Sequence, residues 1–146
     1  MISLIYIING PNLNLLGQRE PKIYGSNTLK DVEDICIKIS NKANIKINFL
    51  QSNAEHEIIN CIHSAIEEAS GIIINPAAYS HTSIAILDAL TLFDKPIIEV
   101  HISNIHKREV FRHNSYVSQK STAVIAGFGI DGYKIALEKM IDLCSE

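Results

Sequence analysis

LIYIINGPN, Leu4 to Asn12, decides the fold. Leu4 to Ile8 is an unbroken apolar run rich in β-branched residues, and Asn9-Gly10-Pro11 ends it with a turn signal. A strand wet on one face alternates apolar with polar side chains. An unbroken run instead indicates a strand covered on both faces, as in a parallel sheet.

Working outward, short apolar runs alternate with amphipathic segments. Thr28 followed by Asp31 resembles a capping box, and Leu29, Val32, Ile35, Cys36 and Ile39 follow at helical spacing. Ile45, Ile47 and Phe49 alternate as a second strand, and Ile58, Ile59, Ile62, Ile66 and Ala69 mark a second helix. Ile72 to Ile74 is a third strand stopped by Asn75-Pro76, and Ser83 to Phe93 reads as a largely apolar helix. Ile97 to Val100 and Thr122 to Ala126 supply the fourth and fifth strands. Tyr133, Ala136, Leu137, Met140, Ile141 and Cys144 keep to one face of a closing helix. Apolar strands separated by helices of crossover length predict a doubly wound α/β domain with a five-stranded parallel sheet. Residues 1–146 are expected to form one catalytic domain, since a chain of this length buries roughly 68–70% of the surface its unfolded form exposes.

Composition narrows the function classes. Hydrophobic residues make up 47% and charged residues 20%, in the range of globular rather than disordered chains. The net charge of −3 gives no electrostatic reason to expect nucleic acid or anionic lipid as a partner. The apolar runs are strand-sized, far short of the roughly 18 residues a membrane span needs, and no signal-peptide pattern precedes the first strand. Cys36, Cys61 and Cys144 are odd in number, widely spaced and set in helical patterns, which suits buried thiols in a reducing compartment. A cytoplasmic protein is expected.

In open parallel sheets ligands bind beyond the carboxyl ends of the strands, where the strand order reverses. The strand ends here carry Asn9-Gly10-Pro11-Asn12, then Asn75-Pro76 with His81, then Glu99 with His101. These are expected to converge. Glu99 and His101, two apart on one strand, share a face, so carboxylate and imidazole can pair. A buried carboxylate without a partner costs several kcal/mol. The pairing would hold His101 in one tautomer with a raised pKa, suited to a general acid, and a plain structural ion pair is the competing reading.

A second candidate lies in GQREPKIYG, Gly17 to Gly25. A free phenol, with a pKa of about 10, is phenolate in only about one molecule in a thousand at neutral pH. A guanidinium nearby stabilises the phenolate, so Arg19 beside Tyr24 can make a base. Pro21 and the flanking glycines suit a mobile flap, although this stretch by itself is better read as an ordinary surface loop with an exposed arginine and a packed tyrosine. The basic run HKREVFRH, 106–113, offers Arg108 or Arg112 to an anionic or polyhydroxy ligand, and Ser103 with the backbone amides near Ile102 can take a carboxylate.

Other motifs fail. GFGIDG, Gly127 to Gly132, fits the dinucleotide fingerprint but follows the last strand, so no later strand can supply the ribose ligand; it reads as a tight turn. HEIIN lacks the second histidine of a zinc helix, no cysteine or histidine cluster has zinc spacing, and no lysine sits in the strand-end clusters for Schiff-base chemistry. The residues reach a cofactor-free acid/base enzyme with a phenolate base, an imidazolium acid and an anion pocket. That set suits proton removal next to a carbonyl with loss of a leaving group. A non-enzymatic module that binds a nucleotide or partner is the alternative, and it has no need of the Tyr24 and His101 pair.

The runs INGPNLNLLGQREPKIYG, QSNAE, INPAAYSHTSIAILDAL, IEVHISN, REVFRHNS and GFGIDGY together resemble the type II dehydroquinases of the shikimate pathway, in order and spacing over nearly the whole chain. The resemblance implies a flavodoxin-like domain assembled as a homododecamer of trimers. It implies anti elimination of water from 3-dehydroquinate through an enolate, with no metal or other cofactor. By position it implies Tyr24 as the base with Arg19 promoting its ionisation, and His101 as the acid with Glu99 orienting it. Asn12, with a bound water, would stabilise the enolate oxygen. Asn75, His81, Ile102, Ser103 and Arg112 would contact substrate, Ile102 and Ser103 holding its carboxylate, while Asp88 would reach a neighbouring subunit's site. Val110 stands where the family usually has proline and His56 where it usually has glycine. The first is expected to loosen the 108–112 segment, the second to change the turn before the second helix.

Overall fold

Leu4–Asn9 forms β1, and it pairs on one side with β2 (Lys46–Gln51) and on the other with β3 (Gly71–Asn75). The computed structural model describes residues 2–18 and 20–146, with Tyr24 described by its backbone. β4 (Ile97–His101) and β5 (Ala123–Ala126) complete a five-stranded sheet, parallel throughout, in the order β2-β1-β3-β4-β5. That is the flavodoxin order. The chain leaves β1 toward one edge and returns to β3 on its other side, so the strand order reverses between β1 and β3.

Alternation along the strands feeds two cores. Ile5, Ile7, Ile73 and Ile98 face α2 (Leu29–Ala43) and α5 (Asp131–Cys144), whereas Tyr6, Ile8, Ile72, Ile74 and Ile97 face α3 (Glu55–Glu68) and α4 (Ile84–Thr91). The central strands β1, β3 and β4 are almost wholly buried, which is why they read as unbroken apolar runs. Burying each of these isoleucines contributes roughly 1.5–3 kcal/mol before the entropic cost of ordering the chain.

The expected caps form. Thr28 accepts from the Asp31 N–H at 3.2 Å while Asp31 accepts from the Thr28 N–H at 3.0 Å, a complete capping box on α2. Ser83 caps α4 by accepting from the Ile86 N–H at 2.9 Å. Cys36 is buried, Cys61 and Cys144 are half-buried, and all three thiols are free.

Two features depart from the sequence reading. Pro21–Tyr24, expected as loop, is a single helical turn, α1, with proline at its start, where a missing N–H costs nothing. Three 3-10 turns, Ile105–Lys107, Val110–Arg112 and Val117–Gln119, organise the segment after β4; turns this short carry no periodicity to detect. His56 is exposed in the first turn of α3 and has no positive φ, so its side chain is accommodated there without backbone strain.

Gly10 fixes how closely the first and third strand ends approach. Its N–H donates to the Asn75 carbonyl at 2.8 Å, and a Cβ placed on it would lie 2.5 Å from the Pro76 carbonyl oxygen. Only glycine fits.

Val110 is 81% exposed at the start of its 3-10 turn, after Glu109 in the extended conformation that a following proline requires (φ −57°, ψ 143°). Val110→Pro is therefore expected to stabilise the folded chain by about 0.4–1 kcal/mol through the unfolded state, read as a higher midpoint in thermal denaturation. A lowered midpoint would contradict this account of the segment.

Candidate active site

The three central strand ends do meet. Beyond them lies a cavity lined by Pro11 and Asn12 after β1, by Asn75, Ala77 and His81 after β3, and by His101, Ile102 and Ser103 after β4. Arg108 and Arg112, from the 3-10 segment, close its side. This is the switch point of the sheet, where open α/β folds hold their ligands.

Glu99 and His101 lie side by side as their spacing predicts. Both are buried, Glu99 with 0% exposure, and the His101 Nε2 is hydrogen-bonded to Glu99 Oε2. Two hydroxyls absent from the sequence reading complete the shell: Ser115 donates to Oε2 at 2.7 Å and Ser118 to Oε1 at 2.5 Å. Burial pushes the Glu99 carboxyl upward, but the hydrogen bond and charge of His101, with the two serines, outweigh it and hold the group below the usual carboxylate range. Glu99 is thus an ionised acceptor, and His101 presents its Nε2–H to it. The imidazole is thereby held at the cavity wall.

The other predicted residues divide. Asn12 adopts a left-handed conformation (φ 69°) that asparagine tolerates, and its N–H donates to Asn53 Oδ1 at 2.9 Å. Asn75 is 3% exposed; its Nδ2 donates to the Tyr133 hydroxyl at 2.8 Å, and its Oδ1 accepts from the Ala77 N–H at 3.1 Å. The His81 imidazole is held below its ordinary value, first by burial and then by the charges of Arg112, His101 and Arg108. Its ring also lies 5.9 Å from that of Phe111, and the Arg112 guanidinium lies 5.1 Å from the Phe111 ring centroid. Arg112 donates to Glu109 at 2.8 Å, and Arg108 reaches Ser103 Oγ at 3.4 Å, so both guanidiniums are oriented before any ligand arrives.

Asp88 is not brought to this cavity. It is exposed on α4, in one stripe with Ile84 and Leu92, which are 56% and 66% exposed.

Arg19 and the Tyr24 side chain lie outside the described residues. The chain around them is placed: Ile23, Gly25 and Asn27 border a groove whose other wall includes Ile102, Ser103 and Arg108, residues that also line the cavity. Gly17 has φ 91°, and a Cβ there would meet the Ser26 carbonyl oxygen at 2.9 Å, so the two ends of the 17–26 segment touch. Among the described residues no cluster of histidine, cysteine, aspartate or glutamate has metal-binding geometry.

Comparison with known proteins agrees with the geometry. The family model described as dehydroquinase class II matches residues 3–141. A 3-dehydroquinate dehydratase 2 of Agrobacterium fabrum is 60% identical over 144 residues, covering 99% of this chain and 98% of the relative. A 3-dehydroquinate dehydratase of Cereibacter sphaeroides is 57% identical over 145 residues, covering 99% of each chain. The crystal structure of a type II dehydroquinase from Propionibacterium acnes superposes with a TM-score of 0.93 at 44% identity, over 97% of this chain and 98% of that one. With a flavodoxin-order sheet, a cavity at its switch point and similarity along its full length, this chain belongs to the class II dehydroquinase family.

Proposed function

We propose that this protein removes water from 3-dehydroquinate in the shikimate pathway, giving 3-dehydroshikimate by anti elimination through an enolate. The observation that carries the reading is the buried Glu99–His101 pair opening onto a cavity at the sheet's switch point, in a chain of this family.

Tyr24, as tyrosinate, takes a proton from the carbon next to the substrate ketone, and Arg19 favours the ionised phenol electrostatically. The electron pair moves into the ketone, giving an enolate whose oxygen Asn12 stabilises through a bound water. When the enolate collapses, the carbon–oxygen bond to the leaving hydroxyl breaks and His101 donates the proton that converts it to water. Glu99 orients His101 and offsets the charge of its imidazolium; the acid ends the cycle neutral and the phenol protonated, and both reset with solvent. Asn75, His81 and Arg112 hold the substrate, and Ile102 with Ser103 takes its carboxylate. A His81 kept mostly neutral suits hydrogen bonding to a hydroxyl. The chemistry requires no metal or cofactor. The helical turn Pro21–Tyr24 acts as a cover, because its neighbours border the groove that continues the cavity.

The working form is a homo-oligomer, a dodecamer built from trimers, in the cytoplasm. The outward stripe Ile84, Asp88, Leu92 supports it: two apolar side chains flank the carboxylate that would enter a neighbour's site. No described helix is long and apolar enough to cross a membrane.

Mixing the purified protein with 3-dehydroquinate is expected to raise the ultraviolet absorbance of the conjugated enone product; absence of signal above background would leave a ligand-binding module standing instead. Tyr24→Phe and His101→Ala are each expected to lower turnover by about 10²–10⁴-fold with substrate binding largely retained, measured as kcat and KM. Turnover retained in either variant removes that residue from its role. In light scattering the protein should run much larger than its 16.2 kDa chain, and a monomer would overturn the role given to Asp88.

A further inference from the structure

Beneath the cavity floor Asn75 joins a buried polar chain whose other side chains, Asn9 and Tyr133, the mechanism above does not use. The Tyr133 hydroxyl, at 0% exposure, donates to Asn9 Oδ1 at 2.6 Å and accepts from Asn75 Nδ2 at 2.8 Å. It links three elements: Asn9 ends β1, Asn75 ends β3, and Tyr133 sits in the first turn of α5. Asn9 and Asn75 are register partners on the face that looks toward α5.

The direction of every bond follows from backbone groups at the two ends. Asn9 Nδ2 donates to the Leu50 carbonyl at 3.0 Å, a group that can only accept, so Asn9 Oδ1 faces Tyr133 and the phenol must donate to it. The phenol oxygen, its one proton committed, can only accept from Asn75, which therefore turns its Nδ2 toward Tyr133. Asn75 Oδ1 then meets the Ala77 N–H at 3.1 Å, a group that can only donate. The assignment is consistent from Leu50 to Ala77, and flipping either amide would set two donors or two acceptors face to face. Ala77 also has a positive φ of 51°, disfavoured for a residue with a Cβ, so the Asn75 oxygen stabilises a strained turn in the cavity wall. Burial raises the Tyr133 pKa far above its ordinary value, keeping the phenol a neutral donor.

We infer that Tyr133 is a positioning residue for the substrate pocket: its hydroxyl holds the Asn75 amide in one orientation at the cavity wall. The chain uses one Nδ2 hydrogen and one Oδ1 lone pair, leaving Asn75 one donor and one acceptor for a ligand. A substrate hydroxyl, which both donates and accepts, matches that pair. This inference rests on the reading of Asn75 as a substrate contact. The amide is aimed before the substrate binds, so no orientational freedom is lost there on binding.

Tyr133→Phe keeps the ring in its core site and removes only the hydroxyl, leaving Asn9 Oδ1 and Asn75 Nδ2 buried without that partner. The expected result is a rise in KM for 3-dehydroquinate of about tenfold with kcat within about threefold of wild type, because a ground-state contact is lost rather than one made only in the transition state. A lowered thermal midpoint with unchanged KM and kcat would overturn the inference and leave Tyr133 a packing residue. A second readout needs neither variant nor turnover: of the two wild-type Asn75 side-chain NH₂ protons, assigned by ¹H–¹⁵N NMR, the one bonded to Tyr133 should exchange slowly with solvent. Rapid exchange there would also overturn the inference. If wild type fails to turn over 3-dehydroquinate while Asn75 is protected, the proposed reaction falls and the hydrogen-bond chain stands.

Discussion

The site depends on one buried charge. Glu99 sits on a central strand with no contact with water, between Ile74 of β3 and Val124 of β5 in register. Unpaired, such a carboxylate would cost several kcal/mol and would take up a proton instead. Here three donors surround it, His101 from its own strand and Ser115 and Ser118 from the segment that follows. The carboxylate therefore stays ionised, and the requirement that it stay paired fixes the imidazole at the cavity wall. The same segment carries Arg108 and Arg112, so the residues proposed to hold the substrate and those that hold the acid share one stretch of chain.

The sheet divides the work between its faces. Glu99 and His101 follow Ile97 on the face toward α4, whereas Asn9 and Asn75 follow Ile7 and Ile73 on the face toward α5. Each face supplies its own buried polar network, one built on a carboxylate and one on a phenol. The two reach the same cavity because β1, β3 and β4 are adjacent, parallel and end at one edge. Gly10 closes the distance between the first two of those ends.

Much of this was legible from residues in isolation. Continuous apolar runs identified the buried strands, the Thr28–Asp31 pair located the start of α2, and the two-residue spacing of Glu99 and His101 implied their contact. What escaped depends on long-range partners or on very short elements. Ser115 and Ser118 meet Glu99 across 16 and 19 residues, and no local pattern marks a serine that will turn inward. Tyr133 was recognisable as a core residue of α5, but its hydroxyl bonds to Asn9 across 124 residues. α1 has four residues and the turns after β4 have three each, too few to establish a period. Asp88 lies on the outside of α4, where only the family resemblance gave it a role.

The central claim is that Glu99 is a carboxylate, paired with His101, at the pH where the enzyme works. A ¹³C NMR titration of the glutamate side-chain carboxyls, with the Glu99 signal assigned by its loss in Glu99→Gln, tests it directly. The account predicts a Glu99 signal that stays carboxylate-like as pH falls, titrating below the ordinary glutamate value. A Glu99 signal that titrates above that value, or is already protonated at neutral pH, would contradict it.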